Sequence, residues 1–455
     1  VLRRSAPLAA ALLLLAPFTS SCSSETPSLQ IDITVGQEKD AFSQDPKVVS
    51  VEVRGVDPGG FAVVVATTTP GGKLDFGEVA SDAQLTFEVT GTDAAGKTVV
   101  RGRSLGAIPV NALTGRLEVF AQRVNAWARP PGGLLQTHVG GVASVGAERY
   151  LVLGGGTLGK GDKVDEAEVY DLLALGGLAL GGITSQPETL VARGTAMLFA
   201  SHKSGTSIDF ASGDGSEIKA PTGLTSFAPI AGGRPVDASD GRTFVVGGTR
   251  PTEPTRGVLV VAADGTLSAL DLVEARAGAA AVWVEGVGLV VAGGSATGAG
   301  IEVLGPRATS FAALSFPPDP TVGAGAVIDG PTGVVLLGGT LEGGSPAPIR
   351  RLDPTCVNAC AATPITGSDP SVDLTAVYAY TLGGGRILAV GEAITAPAQT
   401  HSFLIQLGKS ATELPLREPR SGAAVVPAPN GTLALFGGSR LDGKPALSVE
   451  LLAPQ

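Results

Sequence analysis

The sequence has no long helical pattern, no cluster of Lys or Arg, and few His or Cys side chains, which are the usual ligands of zinc and copper. Its 455 residues include three His and three Cys, and 32 basic side chains stand against 42 acidic ones. An acidic chain repels the phosphate backbone that supplies much of the affinity for nucleic acid, so we expect no nucleic-acid partner. Glycine is abundant instead, with 65 residues, which indicates a turn-rich chain.

The N-terminus is typical of a secreted protein. Arg3 and Arg4 precede an apolar stretch over residues 6–18, which is too short to span a bilayer comfortably. Residues 19–22, Thr-Ser-Ser-Cys, resemble a bacterial lipobox, which implies cleavage before Cys22 and lipidation of that cysteine. Secretion with a free Cys22 is the alternative.

We therefore predict a signal peptide over residues 1–21 and a lipidated tether over 22–28. Cleavage leaves 30 basic and 42 acidic side chains, a net charge of −12. The predicted location is the cell envelope, as an outer-membrane lipoprotein that contacts the membrane only through its lipid anchor.

An apolar run that ends in a Gly-Gly pair recurs along the rest of the chain. The clear pairs are Gly154-Gly155, Gly247-Gly248, Gly293-Gly294, Gly338-Gly339 and Gly437-Gly438. Degraded copies occur at residues 198–201 and 389–392, and the successive spacings are 46, 47, 46, 45, 53 and 46 residues. This period matches one four-stranded blade, so residues 123–455 are predicted to form a seven-bladed β-propeller. Six blades is the alternative, because two copies are degraded.

Each repeat has the same internal order. A strand of small residues opens it, as in 276–282, 321–327 and 420–426, and each of these begins at the same distance before the second glycine of its pair. The apolar strand with its glycine pair follows, and then a third strand, as at Val169-Tyr170-Asp171. Small residues suit the crowded propeller axis, and glycine pairs allow close approach of the backbone.

The sequence ends at Gln455, soon after Gly438, which leaves room for the third strand of the last blade and not for its fourth. We predict that residues 119–129, which contain Trp127, supply the missing strand and close the ring.

Residues 29–122 lack the repeat and show short alternating segments separated by turns. Leu85, Phe87 and Val89 alternate, and residues 92–97 have hairpin chemistry before another strand. About seven strands in this length predict a small Ig-like β-sandwich that holds the propeller away from the membrane. The predicted fold class is thus all-β.

Two cysteines remain once Cys22 is assigned to lipid. Cys356 and Cys360 form an even pair in an oxidising compartment, where a disulfide is the usual outcome. They lie in the longest repeat and are predicted to staple an insertion loop. A metal site is the alternative, but a CxxxC pair without a nearby His or second Cys pair is weak evidence for zinc.

The repeats resemble Kelch repeats. The shared features are the opening strand RxGAAxV, the apolar strand that ends in Gly-Gly, and the third strand at 169–171. Kelch repeats also carry a fourth-strand tryptophan, a place that Trp127 matches, whereas Trp283 follows a first strand and Phe227 and Phe311 are possible substitutes. The resemblance implies a propeller whose loops bind a partner, without a shared chemistry.

One Kelch-like family, the galactose-oxidase type, holds copper with tyrosine and histidine. Here His138, His202 and His401 fall at unrelated phases of the repeat, so we expect surface or strand-end histidines, no copper centre and no cofactor. The acidic residues between 162 and 168 are interpreted as a solvated loop rather than a calcium site.

The predicted function is therefore non-enzymatic binding of a protein or glycan by loops at one end of the propeller. The alternatives are a propeller-type envelope enzyme, a glycan hydrolase or an oxidase, with an axial site, and a structural spacer. An axial cluster of carboxylates or a His-Tyr group would favour catalysis, and an aromatic rim would favour glycan recognition.

Overall fold

A computed structural model describes most of the chain. The described residues are 30–76, 79–80, 82–110, 116–158, 161–183, 185–200, 204–248, 253–365, 372–394 and 399–455. The predicted signal peptide, the tether with Cys22, and His202 lie outside them. Within these ranges no helix is long and apolar enough to cross a membrane.

Seven strands precede the propeller. They are β1 Gln30–Thr34, β2 Ser50–Val56, β3 Ala62–Thr68, β4 Gln84–Thr92, β5 Thr98–Arg103, β6 Ile108–Pro109 and β7 Arg116–Arg123. They join in one hydrogen-bonded path, β1-β7-β5-β4-β2-β3, with β6 on β4 and β1 parallel to β7. Alternate residues such as Leu85, Phe87 and Val89 are buried in a shared core, as their spacing predicts. The Ig-like class of this unit stays a prediction.

The rest of the described chain forms seven four-stranded sheets, so the prediction of seven blades is confirmed. The propeller strands begin with β8 Trp127–Ala128. Blade 1 contains β9 Val142–Gly146, β10 Tyr150–Gly154, β11 Glu166–Asp171 and β12 Gly176–Gly182. Blade 2 contains β13 Thr189–Ala192, β14 Thr195–Phe199, β15 Ser204–Asp209 and β16 Gly215–Lys219. A 3-10 turn at Ala228–Ile230 leads to blade 3, with β17 Arg234–Asp237, β18 Thr243–Val246, β19 Thr255–Val261 and β20 Leu267–Arg276.

The remaining blades follow the same order from the axis outward. Blade 4 contains β21 Ala280–Val284, β22 Gly288–Ala292, β23 Glu302–Leu304 and β24 Ala312–Ala313. Blade 5 contains β25 Gly325–Asp329, β26 Gly333–Leu337, β27 Arg350–Leu352 and β28 Thr363–Pro364. Blade 6 contains β29 Leu374–Leu382, β30 Arg386–Ala393, β31 Thr400–Gln406 and β32 Thr412–Glu413. Blade 7 contains β34 Ala424–Pro427, β35 Leu433–Phe436 and β37 Glu450–Leu452, and the short strands β33 Arg420–Ser421 and β36 Ser439–Arg440 pair beside it.

The ring is closed by Trp127–Ala128, within the segment 119–129 that the sequence predicts, whereas residues 119–123 of that segment belong to β7 of the N-terminal sheet. β8 pairs antiparallel with β37, with Trp127 opposite Leu452 and Ala128 opposite Leu451, and so becomes the fourth strand of blade 7. Trp127 is buried, and its indole N–H donates to Ser402 Oγ of blade 6 at 2.8 Å. The first and last parts of the propeller therefore share one sheet, which leaves no open edge at this junction.

The glycine pairs lie where the second strands end, and one pair shows why glycine is needed. Gly293 and Gly294 have φ of +67° and +86°, a region that side chains disfavour. A Cβ on Gly293 would lie 2.5 Å from Thr321 O, just before the next blade, and one on Gly294 would lie 2.8 Å from Arg276 Cβ, at the end of the outer strand of the preceding blade. The pair therefore allows close approach on both sides.

The first pair is displaced by one residue from its predicted position. The left-handed residues of blade 1 are Gly155 and Gly156, with φ of +65° and +82°, and Gly154 is the last residue of β10. The sequence has three consecutive glycines here, so the pattern by itself could not set the register. The pairs Gly338-Gly339 and Gly437-Gly438 fit the prediction at both positions, and of the pair Gly247-Gly248 in blade 3 only Gly247 has a positive φ.

The predicted opening strands begin later than the sequence suggests. Arg276 is the last residue of β20, the outer strand of blade 3, and the inner strand β21 starts four residues later. The RxGAAxV segment is thus a connection followed by an inner strand. Trp283 lies within β21, not after a first strand, and stacks on Phe244 of blade 3 with ring centroids 6.0 Å apart. Phe311 is buried immediately before the fourth strand β24.

Cys356 and Cys360 are joined by a disulfide, as predicted, and lie in the loop between β27 and β28 of blade 5.

Candidate functional site

The two ends of the propeller differ in what they carry. We call the end where the second strands finish the doublet face; it holds the connections 129–141, 155–165 and 438–449. We call the opposite end the turn face, because it holds the tight turns between first and second strands, such as 238–242. The N-terminal sheet reaches the turn face of blade 7, where Leu105 and Phe120 share a core with Val426 and Ala428.

A cavity of about 540 Å³ runs along the axis between these faces. The first strands of all seven blades line it, mostly with Gly, Ala and Val, as the sequence predicts for a crowded axis. A few charged and aromatic side chains interrupt this apolar wall: Glu188, Arg234, Asp237, Tyr378, Tyr380 and Glu392. A concave cavity of this size, lined by small apolar side chains and a few convergent polar groups, is typical of a ligand site.

Arg234 crosses the axis at the doublet face. It begins β17 of blade 3, and its guanidinium reaches blade 6, three blades away and thus on the far side of the ring. Nη2 donates to Ala376 O at 2.5 Å and Nη1 donates to Val377 O. The guanidinium carbon lies 3.4 Å from the centroid of the Tyr378 ring, which is cation–π geometry.

A distortion in blade 6 presents these carbonyl groups to Arg234. The pairing of β29 with β30 shifts register between Thr375 and Tyr378, and Ala376 has a φ of +50°, unusual for a residue with a side chain. Backbone strain of this kind is common next to functional sites. The bulge, the Tyr378 ring and the two carbonyls together form what we call the blade-6 seat.

Glu392 stands where other blades have the second glycine of the pair. Its Oε1 accepts from Thr400 Oγ1 at 2.6 Å and from the Gly422 amide of blade 7 at 2.9 Å. Its Oε2 is buried and has no donor among the described residues, and the same holds for Oε2 of Glu188 in blade 2. The cavity wall near the doublet face therefore carries two carboxylate oxygens that lack hydrogen bonds.

The groups nearer the turn face are satisfied. Thr243 Oγ1 donates to Asp237 Oδ1 at 2.5 Å, and Arg193 lies 3.6 Å from the same carboxylate. Tyr380 donates its hydroxyl to Val425 O at 2.7 Å. Burial raises the pKa of Tyr380 above its usual value of 10, so the hydroxyl stays protonated. The unpaired acceptors thus belong to the doublet-face half of the cavity.

Besides the buried ion pair Arg350–Asp319 of blade 5, three blades are fastened by a buried contact between a basic side chain and a glutamate, which the sequence analysis missed. Arg276 forms an ion pair with Glu302 and Arg420 with Glu450, and His138 Nε2 lies 2.9 Å from the Glu168 carboxylate; both partners of each contact are buried. In each case the glutamate lies on the third strand and also accepts one or two backbone N–H groups. The donors lie in the connection that enters the blade for Glu168 and Glu450, and in the outer strand β20 of blade 3 for Glu302. We call these pairs the latches.

Burial lowers the pKa of Arg420 and raises that of Glu450, because the surroundings penalise both charges. The sequence carries a signal for the latches, since Arg276 stands at the same distance before Gly294 as Arg420 does before Gly438. The latches are interior elements of the blades and do not line the cavity.

The histidines differ from the prediction in part. His138 is not a surface residue: it is fully buried, with Nδ1 2.7 Å from Gly155 O and Nε2 2.9 Å from Glu168. Glu168 is consequently not part of a solvated loop. His401 lies in the third strand β31 and pairs with Glu413 at 2.7 Å. Within the described ranges no three His, Cys, Asp or Glu side chains are grouped so that they could hold a metal ion.

The doublet face also exposes apolar side chains. Four leucines on the connections of blades 7 and 1 are between 37% and 57% exposed: Leu135, Leu158, Leu441 and Leu447. The amide of Leu134 donates to Leu447 O at 2.7 Å, so two of these connections run side by side.

Comparisons with known proteins give no family. No family model matches the chain, and no curated protein matches it. Among solved structures, YjhT is 13% identical with a TM-score of 0.43, covering 71% of this chain and 97% of its own. A streptogramin B lyase is 11% identical with a TM-score of 0.43, covering 70% of this chain and 95% of its own.

Proposed function

We propose that this protein is a non-enzymatic binding protein of the cell envelope, and that it docks a protein partner on the doublet face. The observation that supports this most directly is the group of exposed leucines on the connections of blades 7 and 1. Exposed apolar side chains on neighbouring connections are typical of protein-binding surfaces. The location in the envelope rests on the N-terminal sequence and remains part of the proposal.

A protein partner fits the cavity better than a glycan does. Glycan recognition uses open aromatic rings, but the Tyr378 ring is covered by the guanidinium of Arg234. The hydroxyl of Tyr380, on the same blade, is already bonded to Val425 O. Both tyrosines of the described lining thus come from blade 6, and among the described residues they do not form an aromatic rim around the mouth.

The proposal is tested by charge substitution on the doublet face. The tagged full-length chain would be expressed in a bacterial envelope, and cross-linked partners would be quantified by mass spectrometry. Leu441→Glu should deplete the specific partner at least about tenfold, because a buried carboxylate at an interface is costly. Leu178→Glu is the matched control, since Leu178 is 51% exposed on the outer strand β12.

Equal recovery of the partner with Leu441→Glu and with the unsubstituted chain would reject the doublet face as the docking surface. A glycan array run with the same protein checks the other partner class, and specific glycan binding without a protein partner would replace the proposal.

A further inference from the structure

The wall of the axial cavity contains two carboxylate oxygens that accept no hydrogen bond from the described residues. Oε2 of Glu392 and Oε2 of Glu188 are buried in its wall, and no described residue donates a hydrogen bond to either of them. Buried carboxylate oxygens are nearly always hydrogen-bonded in folded proteins, so these two atoms have acceptor capacity that a donor entering the cavity can fill.

The charge of the cavity indicates the sign of that donor. Its described lining contains three carboxylates, from Glu188, Asp237 and Glu392, and one guanidinium, from Arg234. The whole chain is also acidic, with a formal net charge of −10. Asp237 lies beside Arg193, so the excess comes from Glu188 and Glu392 against the single guanidinium of Arg234. A concave site with this excess of negative charge attracts cations and repels anions.

The blade-6 seat already shows how a cation is held there. Arg234 donates to the carbonyls of Ala376 and Val377 and lies over the Tyr378 ring. Carbonyl acceptors on one side and an aromatic face on the other form a recognition site for a planar guanidinium. In this structure the chain's own side chain fills that site.

We propose that the axial cavity recognises a guanidinium or ammonium group on the partner, which enters from the doublet face and takes the place of Arg234 in the blade-6 seat. The incoming group then donates to Glu392 Oε2 on the same blade. Arg234 turns toward Glu188, which is near at hand because the Gly232 amide, two residues before Arg234, donates to Glu188 O at 2.7 Å. Both unpaired oxygens thereby gain a charged donor.

This inference rests on the proposed function only for the origin of the cation, an Arg or Lys side chain of the docked protein. The seat itself can be tested without the partner. We would titrate the full-length chain with N-acetyl-argininamide, N-acetyl-lysinamide and the uncharged N-acetyl-citrullinamide by isothermal calorimetry. The citrulline compound has nearly the shape of the arginine compound but lacks its charge.

The arginine compound should bind at least about tenfold more tightly than the citrulline compound, because only the charged group compensates the carboxylates. The lysine compound should fall between them, since an ammonium does not stack as a planar guanidinium does. Raising the salt concentration should weaken both cationic ligands.

Three variants sharpen the test. Glu392→Gln should weaken the arginine compound about tenfold, and Glu217→Gln, on the exposed outer strand β16, should leave it unchanged. Arg234→Ala should strengthen binding, because it removes the internal competitor for the seat. Thermal melting of each variant shows that the fold is retained, and the comparison of ligands on the unsubstituted chain needs no variant.

The outcomes separate this inference from the proposed function. Binding of argininamide by Arg234→Ala but not by the unsubstituted chain would overturn it, since Arg234 would then be a permanent tie across the axis. Equal binding of the citrulline compound would overturn it as well. If the cationic compounds bind as expected but no protein partner is found, the seat stands and the proposed function fails.

Discussion

The latches should dominate the stability of their blades, and the pair Arg276–Glu302 gives the sharpest test. Both side chains are fully buried. The Glu302 carboxylate also accepts the amides of Val273 and Glu274, at 2.7 and 2.9 Å, on the last strand of blade 3. Removing the carboxylate therefore leaves one buried cation without its counter-ion and two buried N–H groups without an acceptor.

Glu302→Ala should lower the free energy of unfolding by about 5 kcal/mol. Breaking a buried ion pair by removing one partner costs about 3–5 kcal/mol, and each unsatisfied buried amide adds about 1 kcal/mol or more. The double variant Arg276→Met, Glu302→Leu should lose only about 2 kcal/mol, because no charge is then left buried without a partner.

The measurement is urea denaturation followed by the fluorescence of Trp283, which lies on β21 of the same blade. Glu52→Ala is the control, since its pair with Arg54 is exposed on the N-terminal sheet and should contribute less than about 1 kcal/mol. A loss below about 1.5 kcal/mol for Glu302→Ala, or a double variant as unstable as the single one, would refute the reasoning.

Three further predictions concern the rest of the fold. Tyr170→Phe should raise the free energy of unfolding by about 1 kcal/mol in urea titrations, because the Tyr170 hydroxyl is buried without a partner among the described residues. Tyr380→Phe should lower the free energy of unfolding by about 1 kcal/mol, because it removes the hydrogen bond to Val425 O. Burial raises the pKa of Tyr170 and Tyr380 above 10, so the unfolded chain loses these protons before the folded protein does. The stability of the fold should therefore be intact below pH 10 and fall as the pH rises further. Melting followed from about pH 9 to 11 should show a less steep fall in the double Phe variant. Gly156→Ala should lower the free energy of unfolding by at least about 1 kcal/mol more than Gly154→Ala does in the same titrations. Of these two residues only Gly156 has a left-handed backbone, and its Cβ would meet backbone atoms, whereas a Cβ on Gly154 would meet the end of the Leu198 side chain. Equal losses of stability would mean that the glycine pair has the register predicted from the sequence. Deleting residues 117–130 should abolish cooperative unfolding of the propeller in calorimetry, since β8 closes the ring; a normal transition would show that blade 7 holds without it.

The closing strand could be predicted from the sequence because the last blade lacks a fourth strand, which the other end of the domain must supply, although Trp127 and Leu452 are far apart in the chain. The number of blades could be predicted from short-range information, because each blade is one local repeat. The disulfide followed in the same way, because Cys356 and Cys360 are only four residues apart and closing so short a loop needs no knowledge of the rest of the fold.

The register of the first glycine pair was decided by the tertiary structure. Gly154, Gly155 and Gly156 are chemically identical, and only contact with Pro187 of the next blade and Val139 of the same blade selects the last two. The buried state of His138 has a similar origin, because its partner Glu168 lies on the third strand β11 and meets it only once the blade has folded.

The axial site depended most on the complete ring. In the sequence, Glu392 differs from the other repeats only by replacing a glycine of the pair. The role of Arg234 could not be predicted from the sequence, because the carbonyl groups that bind it belong to blade 6, on the far side of the ring. The sequence pattern of each blade determines which residues face the propeller axis, because that follows from strand periodicity. Which side chains meet across the axis is set by how many blades close the circle and by the bulge that turns Ala376 and Val377 inward.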